Sequence, residues 1–158
     1  MDLGLKGRKA LITGGTKGIG RHCAEIFADE GASVAICARD AAGVSETVEA
    51  LKAKGVTATG RAVDVADKQA LESWVADSAA ALGGIDMVVA NVSALAVNDD
   101  EAAWNAGFNV DMMHSVRVVN AAMPFLEASD AASITLISSV SGREIDFTGP
   151  AYGAFKAA

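Results

Sequence analysis

The chain has 158 residues, 51% of them hydrophobic and 21% charged, with 20 acidic against 13 basic residues and a formal net charge of -7. That length suits one core, the acidic balance argues against nonspecific binding to nucleic acid, and charges interrupt every window before the ~18 apolar residues of a membrane span. Met1 to Lys9 lacks the long apolar core of a secretory signal. Cys23 and Cys37 have no metal-ligand spacing and read as two small buried hydrophobes in a reducing cytoplasm.

Apolar runs of strand length alternate with amphipathic stretches of helix length, the pattern of a parallel sheet wrapped by helices. Lys9 to Thr13 is predicted as the first strand, and Gly18 to Glu30 as a helix with Ile19, Cys23, Ile26 and Phe27 on one face and Gly31 as its stop. Ser33 to Ala38 is a second buried strand, followed by a helix over Ala41 to Ala53 with Val44, Val48 and Leu51 inward. A weaker strand, Thr57 to Ala62, precedes a helix over Lys68 to Leu82 with Trp74 inward. Then come a strand at Met87 to Asn91, one long helix over Glu101 to Glu127 with Trp104 packing at its start, a fifth strand at Ser133 to Ser138, a loop and the first turns of a helix. No repeat, linker or change of composition marks a second domain. Right-handed crossovers arrange such an order as an α/β, doubly wound parallel sheet of Rossmann type, whose ligands bind beyond the carboxyl ends of the strands.

Thr13 to Gly20 reads TGGTKGIG, a glycine-rich turn between a strand and a helix. Glycines there let the backbone approach a pyrophosphate, whose charge meets free N–H groups at the helix N-terminus. The spacing of Gly14, Gly18 and Gly20 is not the G-x-G-x-x-G fingerprint, so a purely structural turn competes with this reading. At the end of the second strand Ala38 offers no carboxylate to a ribose, while Arg39 and Lys17 offer positive charge. That favours NADP(H) and leaves NAD(H) possible, with Asp40 as a ribose acceptor; two solvated surface cations are the plain alternative. Asp64, directly after the third strand, is placed either to accept from an adenine amino group or to cap the next helix.

The single tyrosine of the chain, Tyr152, is followed four residues later by Lys156, a spacing that puts both on one helical face. A phenol titrates near pH ~10, and bringing one to about 7 takes roughly 4 kcal/mol of differential interaction, to which an adjacent ammonium contributes. Ser139, just after the fifth strand, lies on the same rim of the sheet and can hold a carbonyl oxygen beside the phenol. His22 and His114 are lone histidines without evident partners. The acidic run Asp99, Asp100 and Glu101 suits a helix N-terminus, and no metal site is expected.

Together, TGGTKGIG, Asp64, LISSVSG at Leu136 to Gly142 and YGAFK at Tyr152 to Lys156 resemble the short-chain dehydrogenase/reductase family over essentially the whole chain. The style, including Lys17 with Arg39, is similar to bacterial 3-oxoacyl-acyl-carrier-protein reductases and related NADPH-dependent carbonyl reductases. The resemblance implies a proton donor and acceptor at Tyr152, a lysine at Lys156 that favours the phenolate and binds the nicotinamide ribose, and a carbonyl-orienting hydroxyl at Ser139. It implies a cofactor-binding set of Gly14, Thr16, Lys17, Gly18, Ile19, Gly20, Arg39, Asp64, Val65 and Asn91 with Tyr152 and Lys156, in which Asn91 braces the cofactor loop. The expected activity is NADPH-dependent reduction of a ketone or acyl-thioester carbonyl in the cytoplasm, by a homo-oligomer, dimer or tetramer. An NAD-dependent alcohol or sugar dehydrogenase and a catalytically silent nucleotide-binding homologue are the alternatives.

The chain also departs from the family. Where an NNAG stretch is usual, it reads Ala90, Asn91, Val92, Ser93. Counted from Trp104, the family's catalytic asparagine falls on Asp111, which joins Ser139, Tyr152 and Lys156 as the fourth catalytic candidate; Asn109 takes that role only if the helix is locally irregular. Phe155 replaces a small residue beside the lysine. Family members run to roughly 200 to 250 residues, so residues 1–158 are expected to be a single NAD(P)-binding domain truncated after the fifth strand, without the substrate-specifying segments and not a competent enzyme by themselves. The run SITLIS is then an apolar sheet edge that needs a cover.

Overall fold

The computed structural model describes residues 3–144 and 149–158; Met1 and Asp2 of the N-terminal stretch, and residues 145–148 of the loop ahead of Tyr152, lie outside the described residues. Five strands, β1 (Lys9–Thr13), β2 (Ser33–Ala38), β3 (Ala58–Ala62), β4 (Met87–Ala90) and β5 (Ser133–Leu136), form one parallel sheet in the order β3-β2-β1-β4-β5. The helices are α1 (Gly18–Asp29), α2 (Ala41–Lys52), α3 (Lys68–Leu82), α4 (Glu101–Ala106), α5 (Met113–Glu127) and α6 (Pro150–Ala157). The order reverses between β1 and β4, so the loops after those strands open a crevice at the carboxyl edge, where ligands of such sheets bind.

Both faces of the central strands β2, β1 and β4 are buried, and the period of two along each strand divides the core. Leu11, Ala35, Cys37, Val88 and Ala90 point to the side covered by α3 and α5, where Leu71, Trp74, Val75, Val118 and Ala122 meet them. Ala10, Ile12, Val34, Ile36, Met87 and Val89 point to the side of α1 and α2, against Ala24, Ala28, Val44, Val48 and Leu51. Continuous apolar strands are what a two-sided parallel sheet requires. Burial pushes the Cys37 thiol up to about 12, outweighing the opposing effects of the Gly14 backbone and the Arg61 charge, so it is inert packing material. Ile134 and Leu136 of β5 are exposed.

One expectation is narrowed here and another corrected. The apolar face of α1 meets the core only through the half-buried Cys23 and Phe27, Ile19 and Ile26 being exposed, and the fully buried face is Gly20, Ala24 and Ala28. Small side chains win that face because the helix lies close over the turn that precedes it. The long helix is also not uniform: Gly107–Met112, between α4 and α5, is a π-helical segment. Asp100 caps α4, its carboxylate accepting from the Ala103 N–H at 2.7 Å, and Asp99 accepts from the indole N–H of the exposed Trp104 at 3.0 Å.

Candidate active site

The glycine-rich turn leaves β1 at Thr13 and enters α1 at Gly18. Its Gly14 and Gly15 amides donate to the Cys37 carbonyl at 2.8 and 3.2 Å, tying it to β2. The Asn91 side chain, just past β4, donates to the carbonyls of Thr13 at 3.1 Å and Gly14 at 3.4 Å. A Cβ on Gly20 would stand 2.3 Å from the Gly14 carbonyl oxygen and 2.6 Å from Asn91 Nδ2, so no side chain fits between helix and turn. The N-cap of α1 is Lys17, which places no side-chain acceptor on the first-turn amides, and that turn holds no acidic residue. Uncapped amides at the positive end of a 12-residue helix, reached over glycine, suit a dinucleotide pyrophosphate.

Around this turn the charges sort themselves. Lys17 and Arg39 are exposed, and Arg39 enters no ion pair among the described residues. The Asp40 carboxylate is engaged as the cap of α2, accepting from the Ala42 N–H at 3.2 Å. Asp67, not Asp64, caps α3. Asp64 closes its own turn by accepting from the Ala66 N–H at 3.0 Å, beside the buried Val65, and the Arg117 guanidinium of α5 donates to the Ala66 carbonyl at 3.0 Å. Arg117 was not legible as part of this rim, because no local pattern links α5 to the loop after β3.

Tyr152 and Lys156 lie on α6, which starts with Pro150 in its first turn. The Lys156 ammonium is 5.7 Å from the centroid of the Tyr152 ring, donates to the Ile137 carbonyl at 2.9 Å, and stands 3.3 Å from Asp111 Oδ1. The segment after β5 is locked against the same helix: Ser138 Oγ donates to the Lys156 carbonyl at 2.6 Å. Ser139, one residue on, caps the short 3₁₀ turn Val140–Gly142, its Oγ accepting from the Ser141 N–H at 3.2 Å. The structure thus brings Lys156, Tyr152, Asp111 and the Ser138–Ser139 segment together along α6.

Asp111 reaches this place through the π-helical segment, whose widened turn resets which residues face α6. Asp111 Oδ2 accepts from the Ala94 N–H at 3.0 Å. Asn109 does not take the position despite the irregularity, since its amide donates back to the Asn105 carbonyl at 2.9 Å. One turn further, His114 is fully buried, and its Nε2 is hydrogen-bonded to Thr13 Oγ1 at 2.9 Å. This corrects the expectation of a partnerless histidine. Thr13 Oγ1 also accepts the Asn91 backbone N–H at 3.0 Å, so His114 sits beneath the glycine-rich turn. His22, on the exposed side of α1, is hydrogen-bonded through Nδ1 to the Gly18 carbonyl. Among the described residues no cluster of His, Cys, Asp and Glu could hold a metal ion, and no helix is long and apolar enough to cross a membrane.

A doubly wound parallel sheet with a glycine-rich first crossover and a Tyr–Lys pair at its carboxyl edge defines a class of nucleotide-binding oxidoreductase folds. The family model of short chain dehydrogenases matches residues 8–158, and the chain belongs to that family. It is 43% identical over 162 aligned residues to isoepoxydon dehydrogenase patN of Penicillium expansum, covering 100% of this chain and 62% of the relative. A short chain dehydrogenase from Burkholderia cenocepacia, solved in complex with NADP, superposes with a TM-score of 0.91 at 31% identity, over 98% of this chain and 64% of its own. One from Mycobacterium paratuberculosis, bound to NAD, gives 0.90 at 29%, over 97% and 63%. The chain thus spans about three fifths of the length of these relatives.

Proposed function

We propose that the full-length protein is an NADPH-dependent oxidoreductase that reduces a carbonyl, of ketone or 3-oxoacyl type, to an alcohol. The observation that carries this reading is the convergence on α6: the Lys156 ammonium beside the Tyr152 ring, tied to the Ile137 carbonyl two residues ahead of Ser139. The Tyr152 phenol gives its proton to the carbonyl oxygen, the Ser139 hydroxyl orients that oxygen, and Lys156 stabilises the phenolate left behind. The nicotinamide cofactor, when bound, supplies the hydride. The glycine-rich turn, with Gly14, Thr16, Gly18, Ile19 and Gly20, holds its pyrophosphate, and Asp64 and Val65 adjoin its adenine. Tyr152 and Lys156 meet its nicotinamide ribose, and Asn91 braces the turn beneath. Lys17 and Arg39, with Asp40 engaged elsewhere, favour the 2′-phosphate of NADPH, although relatives bind either form. The family resemblance further supports a homo-oligomer working in the cytoplasm.

The test is Tyr152→Phe in the full-length protein, assayed on ketones, 3-oxoacyl thioesters, quinones, keto-sugars and isoepoxydon, the compound in the name of the Penicillium relative. Turnover is expected to fall by about 10²–10⁴-fold, with NADPH binding, followed by its fluorescence, nearly unchanged. Full activity in the variant overturns the mechanism. Tight cofactor binding by the wild type with no NADPH oxidation across the panel would instead make this a silent nucleotide-binding homologue.

A further inference from the structure

Asp111 is a carboxylate in an unusual setting. Its side chain is 2% exposed, and only Oδ2 is satisfied by a hydrogen bond, from the Ala94 N–H. Oδ1 is buried and accepts no hydrogen bond, yet the Lys156 ammonium, itself 9% exposed, lies 3.3 Å away. A buried carboxylate without such compensation would be expelled or neutralised. The charged and titratable groups facing it among the described residues are Lys156 from α6 and His114 from α5, the latter held neutral by burial; Tyr152 lies beyond the ammonium. The carboxylate therefore has one charge to answer, and it is the charge that Tyr152 also needs.

We propose that Asp111 is the counter-ion of Lys156 and a positioning residue of the site: it holds the ammonium toward the π-helical segment and offsets part of the positive charge felt by the Tyr152 phenol. This rests on the reading of Tyr152 as the proton donor. Two effects meet in the pair. The lysine must be fixed within a buried pocket, which the Ile137 carbonyl and Asp111 accomplish from two sides. Its field also reaches the Tyr152 ring, 5.7 Å from the ammonium, and a carboxylate paired with the lysine offsets part of that field. A neutral amide at position 111 keeps the bond from Ala94 and releases the full charge of Lys156 to the phenol.

The experiment is a tyrosinate titration of the full-length protein by near-ultraviolet absorbance, with the Tyr152→Phe spectrum subtracted so that only Tyr152 is read. Asp111→Asn is expected to bring the Tyr152 tyrosinate signal in at a pH lower by about one unit, and the rising limb of alcohol oxidation moves with it. Coincident titrations of wild type and variant overturn the inference. As a second arm, Lys156→Gln is compared with Lys156→Gln/Asp111→Asn, the double variant leaving no unpaired buried charge. The signal is expected at higher pH in the single variant than in the double, and coincidence there overturns the inference as well. The absorbance readout needs no turnover, so its outcome is separate from the Tyr152→Phe assay that decides the reductase reading.

Discussion

His114 carries a proton balance that acts on stability. The ring is fully buried against Thr13, and desolvation, opposed by the Val110 backbone and the Asp111 charge and reinforced by Lys156, lowers its pKa from 6.5 to about 4. In the unfolded chain the imidazole takes up a proton as pH falls through 6.5, whereas the folded protein resists until about 4. The stability contributed by the neutral ring is therefore complete above pH 6.5 and is lost on descending to about 4. The full linkage amounts to about 3 kcal/mol. Carboxylates contribute to the acid limb too, so the informative quantity is a difference: urea unfolding should show a steeper loss in this window for the wild type than for His114→Asn. Parallel pH curves for the two would mean that the buried ring is not held neutral. The cost falls on the glycine-rich turn, because Thr13 Oγ1 joins the histidine to the Asn91 backbone.

At the scale of elements, Phe155 and Gly107 fit one another. A Cβ on Gly107 would lie 2.4 Å from Phe155 Cδ2, and the ring is packed edge-on against Trp104 at 5.8 Å and tilted against Phe108 at 6.3 Å between centroids. The bulky residue beside the lysine is thus accommodated where the π-helical segment begins. Helix propensity alone makes Gly107→Ala stabilising by up to ~1 kcal/mol, while overpacking costs about 1–3 kcal/mol, so the clash decides the sign. Gly107→Ala is expected to destabilise the wild type and to be neutral or stabilising in a Phe155→Ala background, as a double-mutant cycle by chemical denaturation would measure. Equal effects in both backgrounds would remove the ring from this account. The same region marks where sequence stops informing. Strands β1, β2 and β4 are legible because buried parallel strands write continuous apolar runs, whereas β3, reading ATGRA, writes a weaker one, and the Tyr152–Lys156 spacing places a pair without needing tertiary context. The π-helical segment writes no local signal, since its hydrogen-bond shift is a response to packing around Gly107 and Asp111. The α1 face is legible only in part for a related reason: Ile19 and Ile26 carry the hydrophobic period yet are exposed, because the approach to the turn and sheet takes small residues such as Gly20 and Ala24. His114 and Arg117 were missed because their partners, Thr13 and Ala66, come from distant parts of the chain.

Over the 158 residues as a whole, the formal charge of -7 opposes an anionic dinucleotide at long range, and at physiological salt that field is screened beyond roughly 8 Å. Affinity must therefore come from groups within contact distance of the phosphates. On the proposed reading the uncapped amides of α1 would meet the pyrophosphate that both nicotinamide dinucleotides share, so they cannot discriminate between them. On the same reading discrimination falls to the end of β2, where Ala38 offers no carboxylate and the exposed Arg39 enters no ion pair among the described residues. A charge-assisted bond from a guanidinium to a phosphate contributes about 1.5–3 kcal/mol, or roughly 10- to 150-fold in affinity. Arg39→Ala in the full-length protein should accordingly weaken NADPH binding by that order and leave NADH within about twofold, with the NADPH affinity of the wild type the more salt-sensitive of the two. Equal losses for both cofactors would place Arg39 outside the ribose pocket, and tighter binding of NADH than NADPH by the wild type would hand the ribose to an NAD-type arrangement.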